Sequence, residues 1–279
     1  MQYLREPSKG WGDSRAFSAL SHVYRVVRRS GILKTSYGRG LYASAYFLYK
    51  RYEDRLEDLL RAQPWLIRGG NALDVGANIG YTACVLARAI DRDRLVYAFE
   101  PEPVNYGMLQ RTASRPRCGG RVVPRHCAVG AADGEVRLWL NAGHPGDHRV
   151  VTETFKRSDT AVSGVTVPVV SVDTFVEGHP GPVSFVKIDV QGYEQAVCTG
   201  MEATLDRNPE IAILLEYAPE CMIELGFSPP DLLEFMRARD FACFAVGPKG
   251  RVSARVPVEL AGSSYVDLLF TRHPERIGP

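Results

Sequence analysis

Four carboxylates in this chain each close a short apolar run: Asp74 in LDVGANIGY, Glu100 in RLVYAFE, Asp189 in VSFVKIDV and Glu216 in EIAILLEY. An acid in such a setting needs a partner or a task, because burying a lone charge is costly. Asp74 is followed by Gly76-Ala77-Asn78-Ile79-Gly80. A glycine-containing turn between a strand and a helix lets a ligand touch backbone, and the helix start offers free N–H groups. About twenty residues after Gly80 comes Glu100, placed to accept hydrogen bonds from ribose hydroxyls. Two ligands fit so far, a nicotinamide dinucleotide and the nucleoside S-adenosylmethionine. A dinucleotide needs G-x-G-x-x-G and room for a pyrophosphate. Here the central glycine is absent, and Asp74 would repel phosphates. The methionyl end of S-adenosylmethionine carries an ammonium and a sulfonium, both cationic, so an acid beside the turn favours the methyl donor.

These residues need a scaffold, and the surrounding pattern supplies one. After Arg68-Gly69-Gly70 the chain alternates: ALDVG, a strand; YTACVLARAI, a helix; RLVYAFE, a strand; PVNYGMLQRTAS, a helix; RVVPRHCAVG, a strand despite its proline. It resumes with VSFVKIDV, GYEQAVCTGMEATL, EIAILLEY and SPPDLLEFMRARD, and closes on FACFAV and SYVDLLF, read as an antiparallel edge pair. Such alternation predicts α/β architecture, a parallel sheet covered by helices. Between the strands GEVRLWLN and VTVPVVSVD lies a polar stretch, 142–164, long enough to be functional. Upstream, residues 14–30 and 40–62 have helical spacing, which divides the chain into an N-terminal helical extension (1–68) and a main domain (69–279).

The 279 residues carry a formal net charge of +2, with 45% hydrophobic and 24% charged content. That balance is ordinary for a globular chain and gives no electrostatic reason to expect nucleic acid. Six cysteines, none in a CxxC pair, read as reduced thiols in a cytoplasmic protein. The opening MQYLREPSKGWGDSR lacks an apolar signal core, and Leu41–Tyr49 is too short to span a bilayer. A homo-oligomer stays open.

The ordered blocks LDVGANIGYTACVLARA, VYAFEPEPVNYGMLQ, HCAVGAADGEVRL, VSVDTF, VSFVKIDVQGYEQAVCTGMEATL and ILLEY resemble the FkbM family of S-adenosylmethionine-dependent methyltransferases over about residues 70–220. The resemblance implies a class I methyltransferase fold, Rossmann-like, with seven strands in order 3-2-1-4-5-7-6 and strand 7 antiparallel. It implies methyl transfer chiefly to a hydroxyl of a small acceptor, a sugar, polyketide or peptide natural product, with methylation at nitrogen of a small molecule as the alternative. One departure stands out: where the family commonly has glutamate after the Lys-Ile-Asp strand, this chain has Gln191. The DPPY-type motif of amino-methylating nucleic-acid enzymes is missing.

Roles follow by position. Gly76, Ala77, Asn78 and Gly80 line the turn around the methionyl part, with Asp74 near its ammonium. Thr82 either bonds the donor carboxylate or simply caps its helix. Glu100 takes the ribose diol, so replacing it should weaken donor affinity while leaving folding intact; Pro101 turns the chain beneath it, and Ala128 lies against adenine. Asp189 sits near the methyl group, Lys187 pairs with Glu194 or Glu216, and Glu216 faces the acceptor. An alcohol profits from a base that takes its proton as the bond forms. His148, in the polar stretch with His144, is assigned that role, with Asp189 and Glu216 as alternatives. The acids and their spacing do not establish a metal site. Tyr37, Tyr42, Tyr46 and Tyr49 either pack or face the acceptor.

Overall fold

The computed structural model describes residues 35–53, 55–141, 146–155, 164–179, 181–254 and 265–278. The helix expected over 14–30, and His144, lie outside them, as does the side chain of Tyr37. In chain order, α1 (Ser36–Glu53) and α2 (Leu56–Ala62) lead to β1 (Asn71–Val75), α3 (Tyr81–Ala89), β2 (Val96–Phe99), α4 (Pro103–Ala113) and β3 (Val122–Arg125). Then come β4 (Ala128–Val129), β5 (Gly134–Trp139), β6 (Arg149–Val150), β7 (Gly164–Val170) and α5 (Val172–Glu177). The chain continues through β8 (Val183–Ile188), α6 (Glu194–Thr199), α7 (Glu202–Arg207), β9 (Ala212–Tyr217), α8 (Pro219–Glu224) and α9 (Pro229–Arg237). It closes with β10 (Ala242–Val246), β11 (Val252–Ala254) and β12 (Val266–Thr271).

The main sheet runs β11-β10-β12-β9-β8-β1-β2-β3, with β12 antiparallel to both neighbours. Seven of these strands reproduce the expected order. The eighth, β11, pairs antiparallel with β10 and extends the edge. The central strands are buried on both faces, which is why they read as continuous apolar runs. Alternation sorts their side chains. Leu73, Val75, Val186, Ile188, Ile213 and Leu215 enter one core layer, with α6, α7 and α9; Ala72, Phe185, Ala212 and Leu214 enter the other, with α2 and α3. Tyr42 and Ala43 of α1 pack on Ile79 and Met108.

Four expectations are corrected. The run RVVPRHCAVG is not one strand: β3 ends at Arg125, and β4 joins a second, four-stranded sheet, β4-β7-β5-β6. Pro124 is tolerated because β3 is an edge strand. GYEQAVCTGMEATL forms two helices, α6 and α7, split near Gly200, where a Cβ would lie 2.0 Å from the Gly130 carbonyl oxygen. The helix expected over 40–62 likewise becomes α1 and α2. Finally, Cys84 and Cys118 are joined by a disulfide, although they stand 34 residues apart. Helix α3 and the 3₁₀ turn Pro116–Cys118 bring their Cα atoms to 5.2 Å, a proximity that spacing in sequence does not reveal.

Candidate functional site

A cavity of about 460 Å³ opens at the carboxyl ends of β1, β2, β8 and β9. That is where ligands bind in open α/β sheets, and the volume suits a small molecule. One end is formed by the β1–α3 turn, Glu100, Pro101 and the Cys127–Val129 segment. The other is formed by Asp189, Gln191, Glu216, Tyr193, Tyr265 and Asp267, with Tyr42, Tyr46, Tyr49 and Lys50 of α1 and Asp147–Val150 along the walls.

The turn is shaped by the chain's own packing. Gly76 has φ +82, and a Cβ there would come within 1.9 Å of the Asp189 carbonyl oxygen. Gly80 has φ +86, and its Cβ would meet Leu109 Cδ1 at 2.7 Å. Both glycines are therefore required by neighbouring backbone and side chains, not only by a ligand. Gly76, Ala77, Asn78, Thr82, Glu100, Pro101 and Ala128 line the cavity, whereas Gly80 stands off its wall.

Asp74 also stands off the wall, wholly buried. It shares the sheet face of Ala72 and sits in register with Lys187 of β8, so its charge acts on Lys187 and Glu100.

Glu100 has a defined setting. Its Oε2 accepts the Asn78 N–H at 2.8 Å, and its Oε1 accepts the Glu102 N–H at 2.9 Å. Asn78 reaches this bond from the left-handed region, at φ 49. Burial raises the Glu100 carboxyl to about 8, with the charges of Glu102 and Asp74 adding to the shift and the two N–H donors opposing it. Each oxygen keeps a further lone-pair site, as a diol requires.

At the other end a bridged acid pair dominates. Lys187 Nζ donates to Asp189 Oδ2 at 2.7 Å, so Lys187 pairs with Asp189 and not with Glu194 or Glu216 as expected. Gln191 Nε2 donates to Asp189 Oδ1 at 2.8 Å and to Glu216 Oε2 at 2.7 Å. The family departure noted in the sequence is therefore the group that joins the two acids. Burial works to raise Asp189, but Lys187, reinforced by Lys50, holds it well below the usual carboxylate range. Burial works to lower Lys187, and the charges of Asp189, Asp74 and Glu216 overcome it and hold the ammonium above its ordinary value. Glu216 goes the other way: burial, then the charges of Asp189 and Asp267, push it well above the ordinary glutamate range. An ammonium and an amide occupy the approaches to these carboxylates, a donor set that suits hydrogen bonding better than a hard cation.

His148 lines the cavity, and its Nδ1 accepts the Asn141 N–H at 3.1 Å. In the neutral ring this leaves the proton on Nε2, making that nitrogen a donor rather than a base. Arg149 beside it has a side chain only 8% exposed; it donates to Asp147 Oδ1 at 2.8 Å and also pairs with Glu224.

Sequence reasoning missed Lys50, Arg149, Tyr193, Tyr265 and Asp267 as cavity residues. Asp267 carried a usable signal, an acid inside the apolar strand SYVDLLF. It sits in register with Glu216.

The strand order, with β12 antiparallel, is that of the class I methyltransferase fold. The Methyltransferase FkbM domain matches residues 74–243, and the chain belongs to the FkbM methyltransferase family. This decides against a nicotinamide oxidoreductase. Among solved structures, the methyltransferase FkbM from Methylobacillus flagellatus KT is 15% identical with a TM-score of 0.45, covering 91% of this chain and 57% of that one. The present chain thus spans little more than half the length of that protein. The O-methyltransferase from Bacillus cereus in complex with SAH is 15% identical with a TM-score of 0.46, covering 91% of this chain and 89% of that one. Aeropyrum pernix fibrillarin with bound S-adenosyl-L-methionine is 11% identical with a TM-score of 0.44, covering 78% of this chain and 74% of that one. No match is found among curated proteins. Among the described residues, no helix is long and apolar enough to cross a membrane.

Proposed function

We propose that this chain transfers the methyl group of S-adenosylmethionine to a hydroxyl of a small natural product or sugar. The observation that carries the reading is one continuous cavity with Glu100 at one end and the Asp189–Gln191–Glu216 bridge at the other. Ala77, Asn78, Thr82 and Pro101 would hold the donor together with Glu100, and Ala128 leaves room for adenine. The bound donor supplies an electrophilic methyl group. The chain's own contribution is alignment of the acceptor and removal of its proton.

Glu216 is the base in this reading. Its raised affinity for a proton suits it to the task, and its Oε1 is not engaged by Gln191. Asp189 is the poorer base, since Lys187 keeps it ionised and occupied. His148 Nε2–H serves as a hydrogen-bond donor on the acceptor side. Helices α1 and α2 act as a cap, and Tyr42, Tyr46 and Tyr49 of α1 supply flat surface for a sugar or ring. Lys50 from the same helix helps balance the acids.

The test uses methyl-labelled S-adenosylmethionine with a metabolite extract of the source organism. Label appearing in a base-stable, small-molecule ether supports the reading. Label recovered on nitrogen would replace it with amine methylation, and absence of S-adenosylhomocysteine binding by calorimetry would remove the donor assignment.

A further inference from the structure

The loop after β8 keeps a shape that its own residues do not favour. Gln191 stands in the left-handed region at φ 53, and Gly192 follows at φ 103. A Cβ on Gly192 would lie 2.5 Å from the Cys221 carbonyl oxygen. A non-glycine residue holds such a conformation only where its surroundings over-determine it.

Glu194 supplies the constraint. It is the first residue of α6 and has no exposed surface. Its Oε1 accepts the Gly192 N–H at 3.0 Å and the Val190 N–H at 3.3 Å, so its two bonds bracket Gln191. Its Oε2 meets no hydrogen-bond partner among the described residues. Glu194 does not line the cavity. Held this way, Gln191 spends both hydrogens of its amide nitrogen on the two acids, at 2.8 and 2.7 Å.

We propose that Glu194 is a positioning residue: by pinning Val190 and Gly192 it holds the Gln191 amide across Asp189 and Glu216, which leaves Glu216 Oε1 as the oxygen that meets the acceptor. The inference rests on the methyl-transfer reading given above. The charged groups facing Glu216 are Lys187 and Asp189 from β8 and its loop, Asp267 from β12 and Lys50 from α1; Tyr265 adds a phenol. Those facing Glu194 are Asp189 and the thiols of Cys198 and Cys221. Releasing the loop withdraws a hydrogen-bond donor from Glu216, which disfavours its ionised form.

The experiment is NMR on the full chain with S-adenosylhomocysteine calorimetry alongside. The Gln191 side-chain amide is assigned by its disappearance in Gln191→Glu, and Glu216 is followed through carboxyl-labelled glutamate. Glu194→Ala should speed exchange of the Gln191 amide hydrogens at least tenfold and move the Glu216 titration to higher pH. Glu194→Gln keeps an acceptor at Oε1 and should restore both. Glu194→Asp, a milder change should the alanine variant fail to fold, should give intermediate exchange. S-adenosylhomocysteine affinity should stay within threefold throughout. A lower melting temperature with unchanged Gln191 exchange and unchanged Glu216 titration would reduce Glu194 to a structural role and overturn the proposal. Failure of the methyl-transfer reading would look different, as wild-type protein that keeps its protected Gln191 amide but does not bind S-adenosylhomocysteine.

Discussion

At the proposed donor end of the cavity the wall is shaped largely by backbone. Gly76 and Ala77 donate to the Phe99 carbonyl at 3.1 and 2.9 Å, Asn78 and Glu102 donate to Glu100, and the Asp189 carbonyl fills the space a Gly76 Cβ would take. At the proposed acceptor end side chains do the shaping: Lys187, Asp189, Gln191 and Glu216 form one connected set, drawn from β8, its loop and β9. Backbone walls tolerate little change in shape, because the main chain cannot retreat from a new atom. A side-chain network can be altered in charge or proton affinity while the fold stands. The two ends should therefore break differently, the first through stability and the second through turnover.

The largest effect is expected from Gly76→Ala. The new Cβ meets backbone at 1.9 Å in a left-handed position, so the variant should lose more than about 4 kcal/mol in urea unfolding or fail to fold. Next is Glu216→Gln, which removes the proposed base and should lower labelled-methyl transfer by about 10²–10⁴-fold with donor affinity unchanged. A change in donor affinity of equal size would erase the distinction between the two ends.

Glu100→Ala should weaken S-adenosylmethionine binding by about 10–100-fold in calorimetry, as expected for lost charged hydrogen bonds. Here the structure amends the sequence expectation that folding stays intact. The substitution also strips two backbone N–H groups of their acceptor, so the melting temperature should fall as well. A diol prefers the ionised carboxylate, so wild-type donor affinity should rise with pH through about 8, and this dependence should vanish in the alanine variant.

Stability without donor should run the opposite way with pH. The folded-state values of Glu100, about 8, and Glu194, about 7, both lie above the ordinary 4.5. Between the unfolded and folded values the native state binds more protons. Unfolding free energy should then decline as pH rises through that window, by an amount on the order of a few kcal/mol. A flat urea midpoint from pH 5 to 8 would contradict the burial of these acids. The smallest effect belongs to His148→Ala, about threefold in turnover, as fits a donor bonded through Nε2 rather than the base. A loss near that of Glu216→Gln would return the base role to the histidine.

Much of the donor end was legible because its parts are close in sequence. One strand, one turn and the end of the next strand carry LDVGANIG and Glu100, and period-two apolar runs announce the sheet that aligns them. Asp74 shows the limit of local reading: its identity suggested a ligand contact, and the structure places it wholly buried on the sheet face of Ala72, off the cavity wall. The disulfide, the split at Gly200 and the second sheet each depend on segments far apart in the chain meeting in space.

The amino-acid order by itself determined the alternation of strands and helices and the position of the acid that ends β2, since hydrophobic period and turn chemistry are local properties, while the order of the seven family strands came from the resemblance. Only the tertiary structure decided which charges meet. Lys187 found Asp189 rather than Glu194, Gln191 joined two acids that lie on different strands, and Lys50 arrived from a helix well before the sheet, because electrostatic partnership depends on distance through space and on shared burial.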